Sequence, residues 1–357
     1  DGMRKIGVVG AGAPGAGIAQ LCAQNGFEVL LADSSEEVLS WAEARVLRGL
    51  QRAEEPAAFG LMRKTTELSG LASCDFAILA AAGSIEARKE LLRRIDAHLP
   101  PSRPLGVCVS VAPIAALSRA VENPQRVLGL QFFQSPPTAA FVELVAPEQV
   151  SEKVLVEFRE LMSALGKTSL TCRDKAGFIV QRVVRPYYLE AIRLLEQGRG
   201  TPPAIDGALR NLAGMRQGPL EMLDLILEES LYDSTALYEA LGRPERLRPC
   251  AVHEKLVSRG CRGRANGRGF YVYGENPPGT ANPLLEEILP GYGRRSASAL
   301  EIAHAVLEGV LAEARAAAED GVAPAADIDG AMRMALGWPK GPFEWQSEGG
   351  RGREGAI

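Results

Sequence analysis

The sequence predicts an α/β first half built on a doubly wound sheet and an all-α second half that is duplicated, its second copy incomplete. Three observations predict this. Lys5–Val9, a short apolar run suited to a buried strand, leads into Gly10-Ala11-Gly12-Ala13-Pro14-Gly15 and then into a helical stretch over residues 16–22. Apolar strand-like runs then alternate with helical stretches as far as Cys172. Beyond Gly177 the periodicity turns helical, and blocks of residues recur at a constant offset of 123 positions.

Each element follows from local chemistry. The glycines of the first turn permit a tight bend and a close approach of backbone to a pyrophosphate, whose charge sits at the helix N-terminus. The second strand, residues 27–32, ends at Asp33, where a carboxylate can accept hydrogen bonds from the hydroxyls of an adenosine ribose. This strand, turn, helix, strand and acid make the first half Rossmann-type. Ser34 and Ser35 follow the acid rather than Arg, which favours NAD over NADP. Pro14 fits the first helical turn but brings no N–H to a place where N–H groups hold phosphate. The candidate cofactor contacts are Gly10, Gly12, Ala13, Pro14, Gly15 and Asp33. Further strands are expected over 76–80, 105–109, 127–132, 141–145 and 169–172, with helices over 85–99 and 151–165.

Composition narrows the classes. A chain of 357 residues, 46% hydrophobic and 24% charged, can bury the cores of two domains. A net charge of -4 gives no reason to expect nucleic acid or an anionic membrane as a partner. There is no apolar run of about 18 residues and no charged-then-apolar leader, so a cytoplasmic protein is expected. Asp1-Gly2 ahead of Met3 reads as a tag remnant. The six cysteines are scattered and read as reduced thiols. His98, His253 and His304 have no metal-ligand spacing, so no metal is expected.

Two further stretches carry a resemblance. Gly129-Leu130-Gln131-Phe132-Phe133-Gln134 is followed by Val142-Glu143, and Gly177-Phe178-Ile179-Val180-Gln181-Arg182 opens the helical half. With the glycine turn, these resemble the 3-hydroxyacyl-CoA dehydrogenases, from Lys5 to about Trp345. The resemblance implies NAD-dependent interconversion of 3-hydroxyacyl and 3-ketoacyl thioesters of coenzyme A. In that family a His takes the hydroxyl proton, a Glu twelve positions later orients it, and a Ser and an Asn hold the substrate oxygens. Here Glu143 lies twelve residues after Gln131, and Ser110 lies 21 before it, so the frame is kept. Gln131 stands in place of the His and Gln181 in place of the Asn. Gly83 stands where the family has a Glu beside cofactor and substrate. A Gln amide takes up no proton near neutral pH, and general acid–base catalysis contributes roughly 10²- to 10⁴-fold. The expectation is a member of this family with turnover strongly reduced or lost. The alternative is a non-catalytic binder of NAD or acyl-CoA. Lys175 and His98 are the other groups weighed as a base.

The helical half begins with an amphipathic helix over 186–198, closed by Gly198. Ile205-Asp206-Gly207-Ala208 and Gly218-Pro219-Leu220-Glu221 recur as Ile328-Asp329-Gly330-Ala331 and Gly341-Pro342-Phe343-Glu344, and Glu190 and Gly198 recur as Glu313 and Gly321. Domains are expected over 3–175, 176–275 and 298–345, with a linker over 276–297 and a polar, glycine-rich, disordered tail over 346–357. In single-copy relatives the helical domain forms the homodimer contact. A second copy in one chain implies a monomer or a weak homodimer.

Overall fold

The computed structural model describes residues 4–274 and 279–349. The chain divides into two compact units, residues 1–109 with 113–174, and residues 110–112 with 175–357.

The first unit is one eight-stranded sheet in the order β3-β2-β1-β4-β5-β6-β7-β8. Its elements are β1 (Lys5–Val9), α1 (Ala13–Gln24), β2 (Glu28–Ala32), α2 (Glu36–Arg52), β3 (Met62–Thr65), β4 (Phe76–Leu79), α3 (Ile85–Asp96), β5 (Leu105–Cys108), α4 (Ala115–Ser118), β6 (Val127–Phe132), β7 (Phe141–Ala146), α5 (Glu152–Ala164) and β8 (Thr168–Arg173). Every neighbouring pair is parallel except β6 with β7. The central strands are apolar and buried because helices cover both faces of a parallel sheet. Chain order reverses between β1 and β4, which opens a crevice at their carboxyl ends, the usual ligand position in such sheets. Ser35, Ser84 and Ser151 cap α2, α3 and α5 with their side chains. The strand β3 is an addition to the sequence reading: its Met62-Arg63-Lys64-Thr65 is too polar to read as a buried strand, and it lies on the sheet edge, where a polar strand is tolerated.

The second unit is helical: α6 (Val180–Val183), α7 (Arg185–Glu196), α8 (Pro202–Ala213), α9 (Pro219–Leu223), α10 (Leu227–Ala240), α11 (Ala251–Ser258), α12 (Leu284–Ile288), α13 (Ala299–Glu319), α14 (Ala325–Leu336) and α15 (Pro342–Gly349). Two expectations are corrected. The segment expected as linker contains α12, because Leu285 and Ile288 have apolar surface to bury. The expected tail begins inside a helix: α15 runs through Gln346 to Gly349, started by Gly341-Pro342-Phe343-Glu344. Residues 350–357 of that tail and 276–278 of that linker lie outside the described residues.

The recurring residues do one physical job in both places. Asp206 accepts the N–H groups of Leu220 and Glu221, each at 2.9 Å, at the start of α9. Asp329 accepts that of Phe343 at 2.9 Å at the start of α15. Glu221 and Glu344 reach back to the N–H groups of Gly218 (3.1 Å) and Gly341 (2.7 Å). A Cβ on Gly218 would lie 2.2 Å from Asp206, and one on Gly341 2.3 Å from Asp329, so only glycine admits the aspartate.

One buried group makes the second unit acid-sensitive. His253 is 1% exposed, with Nε2 2.7 Å from the Leu227 carbonyl, and burial lowers its pKa from 6.5 to about 4. As pH falls from 6.5 to about 4 the unfolded chain takes up a proton that the folded chain resists. Stability is therefore lost through that window, by roughly 3 kcal/mol. Urea midpoints measured across it should fall for the unmodified chain and fall less for His253→Gln; equal slopes would sink the assignment.

Candidate active site

In the first unit the glycine turn sits at the β1–α1 junction. Gly10 has φ of 101°, and a Cβ there would lie 2.6 Å from the Ala81 nitrogen. A Cβ on Gly15 would lie 1.7 Å from the Gly10 carbonyl oxygen, so helix and turn pack backbone to backbone. Gly12 is the N-cap of α1, and a Cβ there would meet only the Pro14 ring, at 3.9 Å. The first intrahelical bond runs from Ala16 N–H to Gly12 O, leaving Ala13 and Gly15 as first-turn donors around Pro14, which has none. Asp33 follows β2, its carboxylate accepting from Ala11 N–H at 2.8 Å and Ser35 N–H at 3.0 Å. A carboxylate has about four acceptor sites, so ribose hydroxyls still find two. A cavity of about 320 Å³ opens between Gly10, Asp33, Ser34, Leu68 and Ala81, and one of about 310 Å³ between Pro14, Val109, Leu130 and Phe132. These residues fit a dinucleotide: Asp33 would hold the ribose and the α1 terminus the pyrophosphate.

Pro14→Ala restores a donor at that terminus. NAD should bind it roughly 5-fold more tightly than the unmodified chain in calorimetric titration, the worth of about one hydrogen bond. Equal affinity would mean that the phosphates do not use this position.

The next pair lies on adjacent strands. Gln131 on β6 stands directly opposite Glu143 on antiparallel β7, so both side chains leave the same face. Gln131 is 5% exposed and Glu143 fully buried. The Gln131 Oε1 is buried without a hydrogen-bond partner, and the Cys172 thiol donates to Glu143 Oε2 at 3.6 Å. A carbonyl acceptor thus occupies the place next to Glu143 where a proton-accepting ring nitrogen is expected. Gly83 follows β4 with φ of 139°, which an L side chain rarely adopts, so the backbone here is shaped for glycine. His98 is exposed beyond α3.

Ser110, Gln181 and Lys175 belong to the second unit. Gln181 lies on α6, its Oε1 accepting from Arg185 Nη2 one turn later. Arg185 is 1% exposed, and its Nη1 also donates to the hydroxyls of Ser230 (3.1 Å) and Ser234 (3.2 Å) on α10. The exposed Ser110 hydroxyl donates to Asp233 Oδ1, also on α10, at 3.2 Å. Burial pushes the Asp233 pKa up, while the Arg185 charge and the Ser110 bond pull it back. Lys175 is exposed. Sequence reasoning missed Arg185 and Asp233. Arg185 had one available signal, its spacing of four from Gln181 on a helix; Asp233 had none.

A glycine turn at a helix terminus and an acid closing the second strand are the marks of the dinucleotide-binding fold of dehydrogenases. The family model described as the 3-hydroxyacyl-CoA dehydrogenase NAD binding domain matches residues 5–175, and that of the C-terminal domain matches 177–273 and again 302–356. The chain belongs to the 3-hydroxyacyl-CoA dehydrogenase family, whose cofactor is NAD. It is similar to the 3-hydroxyadipyl-CoA dehydrogenase of Escherichia coli K12, 36% identical over 279 residues, 75% of this chain and 59% of that relative's length. It is 33% identical over 287 residues to the 3-hydroxybutyryl-CoA dehydrogenase of Mycobacterium tuberculosis H37Rv, covering 76% of this chain and 99% of that one. The solved 3-hydroxybutyryl-CoA dehydrogenase of Escherichia coli K12 superposes with a TM-score of 0.85 at 27% identity, over 98% of this chain and 92% of the other. Among the described residues no helix is long and apolar enough to cross a membrane, and no cluster of His, Cys, Asp and Glu could hold a metal.

Proposed function

We propose that this chain is an NAD-dependent oxidoreductase of 3-hydroxyacyl-CoA thioesters whose turnover is strongly reduced or lost. The observation that carries this is Gln131 opposite Glu143. When bound, NAD supplies a hydride acceptor. The hydroxyl proton must leave as the hydride does, and Gln131 cannot receive it. Glu143 keeps the position of the orienting carboxylate but has an amide rather than an imidazole beside it. Gln181 has its amide oxygen committed to Arg185, which draws it from a ligand. The acyl-CoA assignment is supported by the relatives, which are 3-hydroxyadipyl-CoA and 3-hydroxybutyryl-CoA dehydrogenases, and by Ser110, which keeps the family's serine position.

A second reading, a non-catalytic binder of NAD or acyl-CoA, is favoured by Pro14, Gly83 and Gln181 departing from the family together. Oxidation of NADH by acetoacetyl-CoA tests both: slow turnover supports a dehydrogenase of reduced activity and excludes the pure binder, and binding of both ligands without turnover means that activity is lost and the chain acts as a binder. A rate ordinary for enzymes, on the order of 10 s⁻¹, would refute both.

We also propose that the helical half is an internal duplication. Its support is the shared capping geometry of Asp206 and Asp329 and the two matches of one family model. The equivalent helices α7 and α13 pack on each other, with Gly309 making room for Glu190. The second copy thus covers surface that a partner chain would otherwise cover, giving a monomer or a weak homodimer.

A further inference from the structure

We propose that the Ser110–Asp233 pair makes the helical unit select the alcohol over the ketone form of its acyl ligand. The proposal rests on the acyl-CoA reading above. Ser110 has one hydroxyl proton, and the Asp233 carboxylate can only accept, so the 3.2 Å bond between them commits that proton. Ser110 itself is exposed and can turn only lone pairs toward a ligand. A 3-hydroxyl group can donate to those lone pairs. A 3-keto oxygen cannot, and meets them as repulsion.

The surroundings hold this polarity. The buried Arg185 guanidinium on α7 favours the Asp233 carboxylate as an anion, and Glu229 on α10 is the nearby charge opposing it. Arg185 is itself fixed by Ser230, Ser234 and the Gln181 amide oxygen, so it stays in place when a ligand arrives. Asp233 is thus a part-buried carboxylate under the influence of the Arg185 charge, with the exposed Ser110 hydroxyl bonded to its Oδ1.

The test is calorimetric titration of the full chain with 3-hydroxybutyryl-CoA and with acetoacetyl-CoA, at mildly alkaline pH and without nicotinamide nucleotide, so that no turnover intervenes. The unmodified chain should bind the hydroxy thioester about 10-fold more tightly, the worth of one satisfied against one opposed hydrogen bond. Asp233→Asn, whose amide can donate to Ser110 and free its proton, should bring the two affinities within about 2-fold. Ser110→Ala, at an exposed position where folding is not at stake, should do the same. Equal binding of the two thioesters by the unmodified chain, or an unchanged preference in both variants, would overturn the proposal and leave the acyl-CoA reading standing. Failure of both thioesters to bind while NAD binds would overturn the acyl-CoA reading itself, and this proposal with it.

Discussion

Gln131→His is expected to raise the rate of acetoacetyl-CoA reduction by NADH roughly 10²- to 10⁴-fold over the unmodified chain, the contribution of one positioned general acid–base group. The argument is geometric. Gln131 and Glu143 face each other across one rung of the β6–β7 ladder, a separation fixed by backbone pairing rather than by a mobile loop. An imidazole at residue 131 would have a buried carboxylate beside it to fix its tautomer, the arrangement that makes histidine an effective base. The position now holds a buried amide oxygen with no hydrogen-bond partner, so the substitution breaks no existing bond to that atom. Steady-state rates of the two proteins, side by side, decide it. A silent variant that still binds NAD and acyl-CoA would place the defect at Gly83 or Gln181. A fast unmodified protein would require another base, and Lys175 would be replaced next.

The second large effect is structural. Glu313 on α13 is fully buried and receives Arg182 Nε at 2.6 Å and Arg246 Nε from the other side. Arg182 is 1% exposed and also reaches Asp320 at 2.7 Å. Replacing Glu313 with Gln keeps the shape but removes the charge that two guanidinium groups share. Breaking one side of a buried ion pair costs roughly 3 to 5 kcal/mol, because the remaining charge stays out of water uncompensated. The urea midpoint of Glu313→Gln should fall accordingly. A loss below about 1 kcal/mol, the scale of surface pairs, would mean that water already screens this cluster. The residue 123 positions earlier, Glu190, differs: it is half-buried and pairs with Arg193 on its own helix.

Much of the first unit was legible because its signals are local. A glycine turn between an apolar strand and a helix, followed by an acid after the next strand, is a pattern of adjacent residues, and it fixes where phosphate and ribose can sit. The spacing of twelve between Gln131 and Glu143 was legible through the family resemblance, and the antiparallel register of β6 and β7 supplies its geometry. That Gln131 takes up no proton near neutral pH follows from amide chemistry alone. The offset of 123 was visible as text, and the two aspartate caps supply its physical content.

What only the tertiary structure decided is held by contacts distant in sequence. Asp233 lies 123 residues from the Ser110 that donates to it, a pairing that no local period signals. Arg185 was readable only as one more residue of an amphipathic helix until Ser230, Ser234 and Gln181 closed around it. The helices in the expected linker and tail were missed because glycine, proline and polar residues dominate local propensity there, whereas packing of Leu285, Ile288 and Trp345 into the second unit's core overrides it. Sequence determined the family and the cofactor fold through chemistry carried by neighbouring residues. The Ser110–Asp233 bond joins residues distant in sequence, and the charge balance around Arg182 and Glu313 depends on which side chains share one low-dielectric interior; only the folded chain brings either set together.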